Sequence, residues 1–215
     1  MPKTLIADYR VFLRELFRDF QSTGAIAPSS PWLAAALTRY LTDSGQPKRV
    51  LEVGPGTGAV TTKIVAALGP LDQLDLVELN PRFVAILRQR FEADVRYQRV
   101  AAQARVIHQP VQDLPREDGY DLIISGLPLN NFPAALLDEV LESLSGLLNP
   151  GGTLSFFQYV AVRPARAIVS GRVERLRLRE VGAALGKVLD RHEFRRDLIW
   201  PNLPPAWVHH LRFDA

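Results

Sequence analysis

From residue 49 onward the sequence alternates short apolar runs with longer amphipathic ones, and that alternation restricts the chain to very few architectures. Apolar runs of strand length lie at 49–53, 74–78, 106–108, 120–125 and 153–160, with helices predicted between them over about 59–68, 81–93 and 133–147. Pro81 opens the second of these helices, where its missing N–H costs nothing. Asn149-Pro150-Gly151-Gly152 reads as a tight turn into the strand at 153. Strands separated by helices cannot pair as hairpins, so they form a mostly parallel, doubly wound α/β sheet with helices on both faces. The tail from 200 to 213 is expected to add an antiparallel strand and a closing element.

The first 45 residues read as a helical extension on a domain spanning 46–215, and 215 residues suit one such domain. Leu5, Tyr9, Phe12, Leu13, Leu16, Phe17 and Phe20 share one arc of a helix over 4–20, flanked by Arg10, Arg14 and Arg18 on one side. Ser30 and Pro31 are the N-cap and first residue of a second helix that ends before Asp43. Charges recur through the first 20 residues, which argues against a secretory signal, and no apolar run approaches the roughly 18 residues that cross a bilayer. The chain has no Cys, which excludes disulfides, a thiolate nucleophile and Cys-ligated zinc. Its four His are scattered without metal-ligand spacing and are expected on the surface, so no metal is expected. The net charge of +3 decides little; the position of the Arg residues matters more.

Between the first strand and its helix runs Glu52-Val53-Gly54-Pro55-Gly56-Thr57-Gly58. Glycines there permit a sharp turn and let a ligand approach the backbone, and the helix start beyond them favours a negative group. Two cofactors compete for such a turn. Gly54, Gly56 and Ala59 satisfy a loose dinucleotide pattern, with Glu78 on the ribose hydroxyls. S-adenosylmethionine uses the same acid on its ribose and sets Glu52 near its cationic amino group. Three features favour the second: a glycine at 58, an acid two residues before Gly54, and a later strand that ends in Ser125-Gly126-Leu127-Pro128. A plain tight turn beside a surface acid is the remaining reading.

These residues resemble the class I methyltransferases, and the whole chain looks most like the bacterial phospholipid N-methyltransferases. The likeness rests on residues 24–30 (Gly-Ala-Ile-Ala-Pro-Ser-Ser), 50–58, 125–133 (Ser-Gly-Leu-Pro-Leu-Asn-Asn-Phe-Pro) and 202–206 (Asn-Leu-Pro-Pro-Ala). That family is also similar to the rRNA adenine dimethyltransferases. The resemblance implies a Rossmann-like, seven-stranded sheet with an antiparallel strand near the C-terminus. It implies S-adenosylmethionine as cofactor, with S-adenosylhomocysteine as product, and methylation of phosphatidylethanolamine toward phosphatidylcholine. It puts Glu52, Gly54, Gly56 and Gly58 around the methionine end, Glu78 on the ribose, and Ser125, Gly126 and Leu127 beside the transferable methyl. Pro110 stands where such proteins often carry an acid for the adenine amino group. Adenine is then left to Gln112 or Asp113, or to backbone and apolar contact near Val111.

Methyl transfer to an amine needs a neutral lone pair held in line with the S–CH₃ bond, so position and exclusion of water can supply most of the catalysis. Backbone carbonyls around 125–127 can accept the amine's N–H bonds, and no dedicated base is required. Tyr159, at the end of the 153–160 strand, is placed to face a methylated ammonium or a headgroup phosphate, or else serves as a core aromatic. Leu129 follows Pro128 where a nucleobase methylase would carry a stacking ring, leaving only Phe132 for that task and disfavouring nucleic acid.

Six Arg (163, 166, 172, 175, 177 and 179) against one acid, Glu174, occupy residues 163–179. Together with helix 4–20 they suggest contact with an anionic membrane surface, and hence a cytoplasmic protein peripheral on the inner face of the cell membrane. The same charge would suit an RNA backbone. The alternatives to a phospholipid substrate are another amino-lipid such as ornithine lipid, rRNA adenine, or a non-enzymatic cofactor-binding scaffold. Oligomeric state is not encoded in any of these features.

Overall fold

The computed structural model describes residues 29–42, 45–116, 119–160 and 172–213, with backbone only at 130 and 172–178. Seven strands form one sheet: β1 (Arg49–Val53), β2 (Gln73–Val77), β3 (Ala104–Ile107), β4 (Tyr120–Ser125), β5 (Leu148–Tyr159), β6 (Glu193–Ile199) and β7 (Ala206–Leu211). Their spatial order is β3-β2-β1-β4-β5-β7-β6. Every pairing is parallel except those of β7, which runs antiparallel to β5 and β6. The α-helices are α1 (Pro31–Leu37), α2 (Ala59–Ala67), α3 (Pro81–Ala93), α4 (Val95–Gln98), α5 (Ala134–Gly146) and α6 (Arg172–His192).

The central strands read as continuous apolar runs because helices cover both faces of the sheet. Leu51, Val53, Ile123 and Phe156 point into one core, completed by Leu137, Val140 and Leu144 of α5 and by Val181 and Leu185 of α6. Val50, Leu122, Ile124 and Phe157 point into the other, against Leu33 and Leu37 of α1 and Ile64 of α2. Fully burying side chains of this size is worth about 1.5–3 kcal/mol each, so both faces are held firmly.

The expected helix starts are confirmed: Ser30 accepts the Leu33 N–H ahead of Pro31, and Asn80 accepts the Arg82 N–H ahead of Pro81. Several expectations are corrected. The stretch 149–152 belongs to β5, because Leu148 already pairs with Tyr120 and the chain kinks within the strand at Gly151 (φ 77°). The third strand begins at Ala104, earlier than expected. The basic segment runs into a 21-residue helix, α6, which the charge run concealed. The tail supplies the expected antiparallel strand, β7, and just ahead of the tail lies a further strand, β6, that was not expected. The His residues are not all superficial: His209 and His210 are buried on opposite faces of β7, His209 stacked on Phe156 and His210 bonded to Ser155. The helix predicted at 4–20, and most of the 163–179 segment, lie outside the described residues.

Candidate active site

The strand order reverses between β1 and β4, which opens a crevice at the carboxyl edge of the sheet. The turn leaving β1 is tied to both neighbours: Gly54 N–H donates to the Val77 carbonyl (2.9 Å), and Gly126 N–H donates to the Val53 carbonyl (2.8 Å). Gly54, Gly56 and Gly58 all take left-handed φ values, 67°, 58° and 84°, which side chains with a Cβ rarely adopt. Space imposes a second demand at two positions. A Cβ on Gly126 would lie 2.6 Å from the Gly54 carbonyl oxygen, and one on Gly54 would lie 2.7 Å from Leu127 Cδ2. At Gly56, by contrast, a Cβ would meet nothing within 4 Å, so the turn opens to the crevice there.

Two carboxylates sit behind this turn, each only 1% exposed. Glu78 uses both oxygens as braces: Oε2 accepts the Gly56 N–H (3.0 Å) and Oε1 accepts the Asn80 N–H (2.8 Å). Burial raises its pKa, while the N–H donors of Asn80, Gly56 and Leu79 oppose the rise. Glu52, on the face of β1 toward α2, accepts a hydrogen bond from Thr61 Oγ1 (2.7 Å). Burial pushes its carboxyl up to about 8; the Thr61 bond opposes this and the nearby Glu78 charge adds to it. Burial therefore favours the neutral form of Glu52 near neutral pH.

The opposite wall is the corner after β4. Leu127 N–H donates to the Ser125 hydroxyl (3.3 Å), and the turn continues through Leu129 N–H to the Leu127 carbonyl and Asn131 N–H to the Pro128 carbonyl. None of these bonds uses the carbonyl of Gly126. Leu129 and Phe132 are fully buried, in the same core cluster as Leu127.

Val111 and Gln112 follow β3 in a short 3-10 turn. Val111 is buried in the same cluster as Val53, Val77 and Leu127. Gln112 Oε1 is buried without a hydrogen-bond donor, an acceptor left open. Direct contacts thus join Gly54 to Gly126 and Leu127, Gly56 to Glu78, and Ser125 to Leu127, with Glu52 near Glu78, Gly58 closing the same turn, Val111 in the core cluster of Leu127, and Gln112 next to Val111 in the chain. Tyr159 is set apart. It stands at the carboxyl end of β5, but its half-buried ring packs edge-on to Phe157 (5.2 Å) in the α1–α2 core.

Several supporting residues carry no sequence signal. Thr61 fixes Glu52 from the first helical turn. Tyr97 and Thr62 share a hydrogen bond (2.8 Å), and the hydroxyl that accepts in it donates to the Gly58 carbonyl, while Arg90 donates to the Tyr97 oxygen (3.1 Å). Asn80 was not singled out either, although an Asn directly before Pro81 at a helix start is a signal that could have found it. Among the described residues no group of three or more His, Cys, Asp or Glu is placed to hold a metal ion.

Residues 51–154 match the family model described as "Methyltransferase domain". The chain is 30% identical over 148 residues to the ornithine lipid N-methyltransferase of Singulisphaera acidiphila, covering 69% of this chain and 76% of that protein. It is 35% identical over 104 residues to the ribosomal RNA small subunit methyltransferase A of Parasynechococcus marenigrum, covering 47% of this chain and 32% of that one. The O-methyltransferase of Bacillus cereus in complex with SAH superposes with a TM-score of 0.65 over 94% of this chain and 90% of that chain, at 15% identity. With the strand order, the glycine turn and the paired acids in place, these likenesses assign the chain: it belongs to the class I S-adenosylmethionine-dependent methyltransferases.

Proposed function

We propose that this chain methylates the headgroup amine of a membrane amino-lipid, acting on phosphatidylethanolamine and its mono- and dimethyl derivatives toward phosphatidylcholine. The observation that carries this reading is the corner at 125–128, which offers backbone acceptors and is followed by Leu129, not by an aromatic residue on which a nucleobase could stack. The identity to an ornithine lipid N-methyltransferase supports an amino-lipid substrate and favours ornithine lipid as the second reading.

The crevice fits an adenosyl-sulfonium cofactor in three respects: open space at Gly56, a buried unpaired acceptor at Gln112, and a protonated acid at Glu52 able to ionise beside a cation. In this reading Glu52, Gly54, Gly56 and Gly58 hold its methionine end and Glu78 its ribose hydroxyls, while Val111 covers its adenine and Gln112 accepts the adenine amino group. When bound, S-adenosylmethionine supplies an electrophilic methyl group. The chain's own work is positional. The Gly126 carbonyl and the Ser125 hydroxyl accept N–H bonds from the amine and direct its lone pair, and the buried walls around Leu127 exclude water that would keep it protonated. Tyr159 acts chiefly through packing. An anionic inner leaflet is the proposed place of action, with the Arg-rich 163–179 segment and residues 4–20 as contacts.

Incubation with methyl-labelled cofactor and vesicles containing phosphatidylethanolamine, followed by thin-layer separation, should place label in methylated phospholipid. Label in ornithine lipid alone would move the assignment to that substrate. Label only in added RNA would end the lipid reading.

A further inference from the structure

The crevice rim carries an apolar surface that methyl transfer does not use. Among the described residues, seven large apolar side chains are exposed, and four of them, Trp32, Val160, Trp200 and Leu203, at 59%, 39%, 69% and 78% exposure, belong to segments that are joined at this rim. Isolated exposed apolar residues are ordinary; a group of four that includes two Trp is not. Chain bonds hold the group together. Residues 200–205 join β6 to β7, and Ala206 at the start of β7 pairs with Tyr159 at the end of β5. Val160 N–H donates to the Pro205 carbonyl (2.8 Å). Ser30 N–H, two residues before Trp32, donates to Asn202 Oδ1 (3.2 Å), and Asn202 donates in turn to the Pro204 carbonyl (2.7 Å). Asn202 is itself buried, so Trp200 and Leu203 project from an anchored turn.

The position of the rim relative to the corner is fixed by register. Ser125 pairs with Phe156, and Tyr159 lies three residues further along β5, about 10 Å at strand rise. The apolar turn therefore stands proud of the methyl-transfer corner, on the same edge of the sheet. Immediately after Val160 the chain enters the segment that carries six Arg against one Glu over 163–179. An apolar, Trp-bearing rim followed directly by a strongly cationic segment is complementary to one kind of surface, a bilayer with anionic headgroups.

We infer that the Trp32, Val160, Trp200 and Leu203 rim docks on an anionic lipid bilayer and so brings the Ser125 corner to headgroup level. This rests on the amino-lipid reading above. Interfacial side chains that enter about 5–10 Å leave a corner recessed by a similar distance in the headgroup layer, where an amine can be methylated without extracting the lipid.

The test uses the full chain and the double variant Trp200→Ser/Leu203→Ser, with vesicles of equal parts phosphatidylethanolamine and phosphatidylglycerol. In flotation the variant's partition should fall by roughly tenfold or more. The wild type's Trp emission should shift to the blue on vesicles and be quenched by brominated acyl chains. Methylation of vesicle lipid should fall in parallel, while cofactor affinity, melting temperature and methylation of a short-chain, water-soluble amino-lipid stay at wild-type values. Unchanged flotation of the variant overturns the inference. So does a loss of thermal stability with flotation retained, which would show that the chain's own residues cover the patch, or a loss of self-association with flotation retained, which would assign the patch to a second copy. The two readings fail separately: rim-dependent docking without lipid methylation sinks the substrate, and vesicle methylation intact in the variant sinks the docking surface.

Discussion

Glu52→Gln removes one ionisable group from behind the glycine turn while leaving an oxygen for Thr61 Oγ1 to bond. The wild-type carboxyl is raised from 4.5 to about 8, chiefly by burial. As pH rises through that window the unfolded chain releases this proton first and the folded protein keeps it, so folding stability declines from about pH 4.5 to about pH 8. The limiting slope for one proton is about 1.4 kcal/mol per pH unit, and the accumulated loss is on the order of 4 kcal/mol at the top of the window. Gln at 52 has nothing to titrate and escapes that loss. Wild type and variant should thus be similarly stable near pH 5, and by pH 8 the variant should be the more stable by several kcal/mol, roughly 10 °C in Tm for a domain of this size. Urea denaturation at pH 5, 6, 7 and 8 measures it. Glu78, whose pKa is also raised, and His209 and His210, whose pKa values are lowered by burial, titrate in both proteins. His209 and His210 therefore cancel in the difference between the two curves, which reports Glu52 together with its coupling to Glu78. Parallel curves with no widening gap toward pH 8 would refute the account of Glu52 as a neutral buried acid.

Gly126→Ala and Gly56→Ala should part company. The first sets a Cβ 2.6 Å from a backbone oxygen and should cost about 3 kcal/mol of stability and abolish activity; the second meets open space, should cost about 1 kcal/mol for its positive φ, and should lower cofactor affinity at least roughly tenfold, as read by chemical denaturation and calorimetry. Gln112→Leu removes the buried unpaired oxygen, so the ligand-free protein should gain about 1 kcal/mol while cofactor binding weakens by about five- to tenfold; undiminished affinity would show that Gln112 does not face the adenine.

The parallel sheet and its glycine turn were legible in the sequence because they depend on local signals: runs of strand length, Pro81 at a helix start, and glycines where only positive φ fits. Gln112 was legible only as one of two replacements for the acid absent at Pro110, and burial singles it out. Contacts that depend on three-dimensional closure left no local trace. Thr61 reaches Glu52 only after the strand, turn and helix have folded together, and Tyr97 reaches the Gly58 carbonyl from 39 positions away. The His209-His210 pair reads as polar and superficial, yet β7 is covered on both faces, so alternation buries one ring on each side. In α6 the Arg-rich start hid the helical spacing of Val181, Leu185, Val188 and Leu189, which face the core.

The bond between Ser30 and Asn202 spans 172 positions, and its acceptor belongs to the last hairpin. The start of α1 is therefore tied in part to the hairpin that the final strands form. Any change that unzips β6 from β7 would release α1 at its first turn and loosen the rim at a distance, even with every crevice residue intact. A lesion at the end of the chain would then read, in an assay, like a defect at its beginning.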